Sequence, residues 1–148
     1  MRAYEFVLDS FEELMLSAVE GSWTVDEGSS VVTVATSGIL DQSLANKKDV
    51  VEKKLLDRFI EFKKNTPLER YGASDTHFIG TGPLAKAIPK LRHAHLTQDT
   101  SVFYTLEGRD PIVLKIYGVF NHKESGTSTP PNVKKQKQLA NILKQQTV

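Results

Sequence analysis

Hydrophobic and polar positions along the chain alternate between helical and strand periodicities. Phe11, Leu14, Met15, Ala18 and Val19 recur at helical spacing behind Ser10, with Glu12 and Glu13 in the first turn, and predict a short amphipathic helix over 11–20. Tyr4 to Leu8 reads as a short strand or as a lead-in to that helix. Gly21 closes the helix, and the run from Asp26 to Ser30 is turn-forming. Val31 to Thr36 is β-branched and uncharged, the composition of a buried strand. A longer helix is predicted over 49–64. Val50, Val51, Leu55, Leu56, Phe59, Ile60 and Phe62 form its apolar face, Lys47, Lys48, Lys53, Lys54, Lys63 and Lys64 project outward, and Pro67 ends it. Residues 71–89 are rich in glycine and proline and read as a long loop, more often functional than accidental in a compact domain. Three strands are then predicted, over 91–96, 102–106 and 112–120, the last apolar enough to be covered on both faces. A Ser/Thr/Pro loop separates them from a basic helix over 132–146. Helices first, then an antiparallel meander, then a closing helix make an α+β fold.

A length of 148 residues suits one domain, here a 31–148 body with an N-terminal extension over 1–30. Because the chain has no cysteine, disulfides, thiolate metal sites and a cysteine nucleophile are excluded. No apolar run approaches the roughly 20 residues that span a bilayer, so no membrane partner is expected. The first residues lack a basic stretch followed by an apolar one, which makes the cytoplasm the expected location. The net charge of +1 conceals a polarity. Residues 1–46 hold eight acids and one base, and the rest of the chain holds the other 18 of the 19 bases and all four histidines. A basic body behind an acidic arm points to phosphate-bearing partners, or to no more than unevenly solvated faces.

The richest segment is Lys90-Leu91-Arg92-His93-Ala94-His95-Leu96. On a strand, His93 and His95 share a face about 7 Å apart. Two such imidazoles are suited to acid–base work, to phosphate contact, or to a purely structural role, and Lys90 and Arg92 beside them favour an anionic substrate. A metal site would need a third ligand from His122, His77, Asp75 or Asp99, and no metal motif has this spacing, so neither metal nor other cofactor is expected. Asn121-His122-Lys123-Glu124 lies where the last strand emerges, a position from which a scaffold edge presents side chains to a cleft, although a solvated loop histidine would look the same. Tyr104 and Tyr117 lie on strands, where a tyrosine is commonly a core residue with a bonded hydroxyl. No nucleophile elbow, phosphate-binding glycine loop or dinucleotide fingerprint is present.

The succession Phe59-Ile60-Glu61-Phe62-Lys63-Lys64, Pro67, Tyr71-Gly72, Leu91 to Leu96, Val102-Phe103-Tyr104 and Leu114 to His122 resembles the RelE/ParE superfamily of bacterial toxins, and within it the ribosome-dependent mRNA interferases of the YafO kind. The resemblance covers roughly 31–146 and is sharpest over 59–146. It implies an antiparallel sheet of about four strands flanked by N-terminal helices and a basic C-terminal helix. It also implies metal-independent cleavage of mRNA in the ribosome, with the 2′-hydroxyl as nucleophile. By resemblance the catalytic residues would be His95, His122, His93 and Tyr104. Arg92 and Lys123 would steady the phosphate, and an antitoxin would neutralise the protein in a hetero-oligomer; Lys90 and His77, near them in sequence, are further candidates to hold the substrate. Histidines stand here where the family more usually has lysine and arginine, and residues 1–30 have no counterpart in a minimal member. Three other readings remain open: a non-enzymatic basic module that binds nucleic acid or protein, a gyrase-directed toxin of the ParE branch, and a metal-dependent hydrolase that uses the histidines.

Overall fold

A computed structural model describes residues 23–26, 32–45, 51–78, 82–109, 111–127 and 130–145. The helix expected over 11–20 and the segment from Tyr4 to Leu8 lie outside them. In chain order the elements are β1 (Thr24–Asp26), β2 (Val32–Thr36), α1 (Leu40–Ala45), α2 (Val51–Asn65), β3 (Thr76–His77), α3 (Pro83–Ala87), β4 (Arg92–His95), β5 (Thr100–Glu107), β6 (Ile112–Asn121), α4 (His122–Ser125) and α5 (Val133–Gln145). The α+β class holds. The 71–89 stretch is not one loop, because it contains β3 and α3.

The sheet has six strands in the order β1-β2-β6-β5-β4-β3, more than the four expected, and it is mixed. Strands β4, β5 and β6 form the antiparallel meander, while β2 pairs with β6 in parallel, Val34 opposite Leu114. A three-strand meander ends pointing the way it began. The chain leaving β2 crosses over through α1 and α2 before entering it, as a parallel pairing requires. The end of the acidic extension belongs to the sheet: β1 pairs antiparallel with β2, and Trp23 packs edge-on against Tyr117 at 5.1 Å.

Helices cover both faces. On one, Leu56 and Phe59 of α2 pack with Val34, Ala94, Val102, Tyr104, Leu114 and Ile116. On the other, Leu84 of α3 and Leu139, Ile142 and Leu143 of α5 pack with Leu91, Phe103, Tyr117 and Phe120. The apolar run of β6 serves both layers, as its sequence predicts. It does so through a bulge: pairing steps from Phe103–Gly118 to Tyr104–Ile116, leaving Tyr117 opposite no residue. As a result Ile116 and Val119 face one layer, and Tyr117 and Phe120 the other.

Two serines occupy the irregularity. Ser37 Oγ donates to the Tyr117 carbonyl at 2.5 Å. Ser43 Oγ accepts from the Val119 N–H at 3.1 Å and donates to the Leu40 carbonyl at 2.7 Å. A Cβ on Gly118 would come within 2.6 Å of the Phe120 ring, so a glycine is needed there. Ser43→Ala leaves a buried N–H unpaired and is expected to cost about 1–3 kcal/mol. Gly118→Ala overpacks the Phe120 side and is expected to cost a similar amount, about 1–3 kcal/mol. Urea-unfolding midpoints of the two variants check both values.

Candidate functional site

Alternation along β4 separates the candidate residues into two groups. Arg92 points with Ala94 toward α2, and His93 and His95 point with Leu91 toward the other layer. Sequence reasoning treated these residues as one site.

On the α2 side the centre is Asp75, whose side chain is fully buried. Its Oδ2 accepts from Lys63 Nζ at 2.7 Å and from the Tyr71 N–H at 2.9 Å. Its Oδ1 accepts from the Tyr104 hydroxyl and from Arg92 Nε and Nη2, both at 3.4 Å. Lys63 is wholly buried rather than projecting outward. It follows Leu56 and Phe59 on the inward face of α2, donates to the Glu69 carbonyl at 2.5 Å, and lies 5.3 Å from the Tyr104 ring centre. A pattern that scores every lysine as polar assigns it to solvent.

Burial drives the Lys63 ammonium below its ordinary value, with the Asp75 hydrogen bond and charge opposing it. Burial alone would raise the Asp75 carboxyl, but the hydrogen bonds from Lys63, Tyr104 and Tyr71 outweigh it and hold the group ionised. Tyr104 is buried, and burial and Asp75 push its hydroxyl well above the usual phenol value. It accepts from Arg92 Nε at 3.0 Å and donates to Asp75. The catalytic role expected for Tyr104 is therefore withdrawn: its hydroxyl is spent inside the fold.

The outer end of this group is formed by Arg92 Nη1 and His77 Nε2, 3.2 Å apart. An arginine only donates, so His77 Nε2 presents its lone pair and the ring is neutral. Burial lowers the His77 pKa, followed by the charges of Arg92 and Lys90. Lys90, also exposed, adopts a left-handed backbone with φ 64° at the entry to β4.

On the other face three imidazoles lie in a row. His93 and His95 have ring centres 6.1 Å apart, close to the expected spacing, and His95 meets His122 edge-on at 5.3 Å. His122 is placed by a capping box at the start of α4. The Asn121 side chain accepts from the Glu124 N–H at 2.7 Å, and Glu124 accepts from the Asn121 N–H at 2.9 Å. Glu124 is thereby engaged in the cap, and Lys123 is exposed beside His122. His122 Nε2 lies 3.3 Å from the Gln98 carbonyl and Nδ1 lies 3.1 Å from Thr127 Oγ1. A carbonyl only accepts, so Nε2 carries the proton and the turn at 97–100 fixes the tautomer.

His93 stacks on Phe78 with ring centres 4.3 Å apart, and its Nδ1 is buried without a hydrogen-bond partner. Burial lowers its pKa, helped by His95, so it serves as a neutral aromatic neighbour. His95 is lowered by burial and then by His122, and its ring packs against the other two imidazoles. His95 thus lies against a His122 ring whose orientation is fixed from both nitrogens, two adjacent imidazoles of the kind acid–base work uses. No three His, Asp or Glu side chains among the described residues are placed to share a metal ion.

The signals sequence reasoning missed were an aspartate two residues before His77 and a lysine in register with Leu56 and Phe59. Lys63→Met leaves the Asp75 charge buried with only Arg92 as cationic partner and is expected to destabilise by about 3–5 kcal/mol. The double change Lys63→Met with Asp75→Asn is expected to recover much of that loss, as thermal unfolding would show. Acid should act in two stages. The lowered histidines leave the unfolded chain binding more protons, so stability declines as pH falls below about 6.5. The Asp75 contribution persists above the unfolded carboxyl value and is lost only as pH falls on through its depressed folded value. A pH series of unfolding free energies reads both stages.

Compared with protein-family models, with curated proteins and with solved structures, this chain matches none.

Proposed function

We propose that the protein is a metal-independent endoribonuclease that acts on mRNA, a toxin working with the ribosome and restrained by an antitoxin. The observation that carries this reading is the His95–His122 pair, edge-on at 5.3 Å, where β4 meets the start of α4. His95, neutral near pH 7, takes the proton of a ribose 2′-hydroxyl, and that oxygen attacks the adjacent phosphorus. As the P–O5′ bond breaks, His122, which must act from its doubly protonated form, gives a proton to the leaving oxygen and becomes neutral, leaving a 2′,3′-cyclic phosphate and a free 5′-hydroxyl. Lys123 follows His122 and contributes positive charge toward the developing phosphorane. His93 and Phe78 offer a stacked surface for a base.

Two further features support an RNA partner. A cavity of about 300 Å³ on the same side of the sheet, between α3 and α5, is lined by Lys86, Lys137 and Lys144, with Ala87, Ala140 and Asn141. Such a cationic hollow suits a phosphate backbone. The second is the placement of the side chains, with histidines from the first strand of the meander and His122 and Lys123 from just beyond its last strand. An antitoxin with an acidic segment would cover this face.

His95→Ala and His122→Ala are each expected to lower cleavage of mRNA in a translation extract by about 10²–10⁴-fold, with folding intact. Full cleavage and growth arrest in the double variant would defeat the reading. The acid limb of the rate profile is expected below about pH 6.5, because His95 must be neutral to act and its pKa is lowered. Single-turnover cleavage measured across pH locates that limb, and a limb above the ordinary imidazole value would exclude His95 as the base.

A further inference from the structure

The group around Asp75 is not electrically balanced. Lys63 and Arg92 are two cations sharing one carboxylate, and both oxygens of that carboxylate are already engaged. Lys63 and Asp75 are fully buried and satisfy one another, so the surplus positive charge resides on Arg92, whose side chain is 18% exposed. Three hydrogen bonds from Nε and Nη2 to Asp75 and Tyr104 fix the guanidinium plane. The edge left over, Nη1, opens at the end of β3 beside exposed His77 and Lys90. The acid bearing on His77 is Asp75 itself, and the cations bearing on it are Arg92 and Lys90. An arginine held rigid, sharing its carboxylate partner with Lys63 and flanked by an exposed imidazole and an exposed lysine, is built to receive a phosphate oxygen.

We propose that Arg92 Nη1 and His77, on the face of β4 opposite the three histidines, form a second phosphate seat for an RNA diester away from the cleaved bond, with Asp75 as the residue that positions Arg92. The seat rests on the RNA reading only for the identity of its occupant. When a diester oxygen takes the Nη1 proton now directed at His77, the imidazole is released to accept a proton and donate it to the same phosphate. β3 pairs with β4 only at Thr76–His93 and His77–Arg92, so this seat and the histidine row lie one residue apart along β4 at a short edge. A single strand crossing that edge would meet both.

The test reads His77 directly. Imidazole nitrogen NMR of the full chain follows the His77 pKa alone, with inorganic phosphate, and with a 2′-O-methyl oligoribonucleotide that has no hydroxyl to react. The expected result is an upward shift of about one pKa unit with the oligonucleotide. Arg92→Lys keeps the charge and loses the fork, and is expected to weaken oligonucleotide affinity at His77 at least tenfold. Tyr104→Phe removes one positioning bond and should weaken it less, while leaving the protein folded. The His95→Ala, His122→Ala double variant should keep the full His77 shift. An unmoved His77 at saturating oligonucleotide, with His95 or His122 moving instead, overturns the seat. A shift with inorganic phosphate and none with the oligonucleotide overturns an RNA diester as its occupant. If His77 responds and wild-type protein cleaves nothing, the endoribonuclease reading fails and the seat stands. Cleavage with a silent His77 has the opposite meaning.

Discussion

The buried carboxylate of Asp75 is the point on which several elements converge. It joins α2 through Lys63, the 66–75 connection through the Tyr71 N–H, β5 through Tyr104 and β4 through Arg92. Such a charge is tolerable in an apolar layer only because hydrogen bonds and two cations replace its hydration. Removing Lys63 takes away the nearest buried cation of the carboxylate, and removing Asp75 leaves two cations without their shared acid, so these three charges stand as a unit. Its consequence outside the core is the fixed direction of Arg92.

The second constraint is geometric. Tyr117 forms a bulge in β6, and the Ser37 and Ser43 hydroxyls satisfy the backbone around it. This irregularity lets one strand put Ile116 and Val119 in one layer and Tyr117 and Phe120 in the other. It also fixes the end of β6, and with it the capping box that places His122 opposite His95. The bulge and the Asp75 group thus act at opposite ends of one path. One sets where β6 delivers its histidine, and the other anchors the strand that carries its neighbours.

Much of the scaffold could be read along the chain. The uncharged run before Thr36, the apolar stripe of α2, and the three strands from 91 to 120 have periodicities strong enough to decide their type. The spacing of His93 and His95 also followed from strand alternation alone. What could not be read depends on partners distant in sequence. Lys63 is inward because Asp75, twelve residues later, waits for it, and helical periodicity holds no information on that meeting. Tyr104, to which the resemblance gives a catalytic role, has its hydroxyl between Asp75 and Arg92, partners that no local pattern announces. The parallel pairing of β2 with β6 brings together segments some eighty residues apart, which no local pattern specifies. Arg92, His93 and His95 share one strand, but grouping them requires knowing that each face of that strand meets a different layer.

The charge polarity of the chain gains a spatial sense from the same topology. Within the acidic extension, Trp23 to Asp26 enter the sheet at the β1 edge, with four strands between β1 and β3 at the other end. Trp23 there takes the Lys115 ammonium over its ring at 4.7 Å and packs on Tyr117, so this part extends the sheet and covers one end of its core. Arg92, His77 and the histidine row sit toward the far edge, where the short β3 leaves β4 thinly covered. Under the proposed function this separation has a consequence. The described part of the extension is too far along the sheet to neutralise the cations that would meet RNA. An acidic partner chain that restrained the site would have to reach the β3–β4 edge, the same edge that the proposed RNA strand would cross.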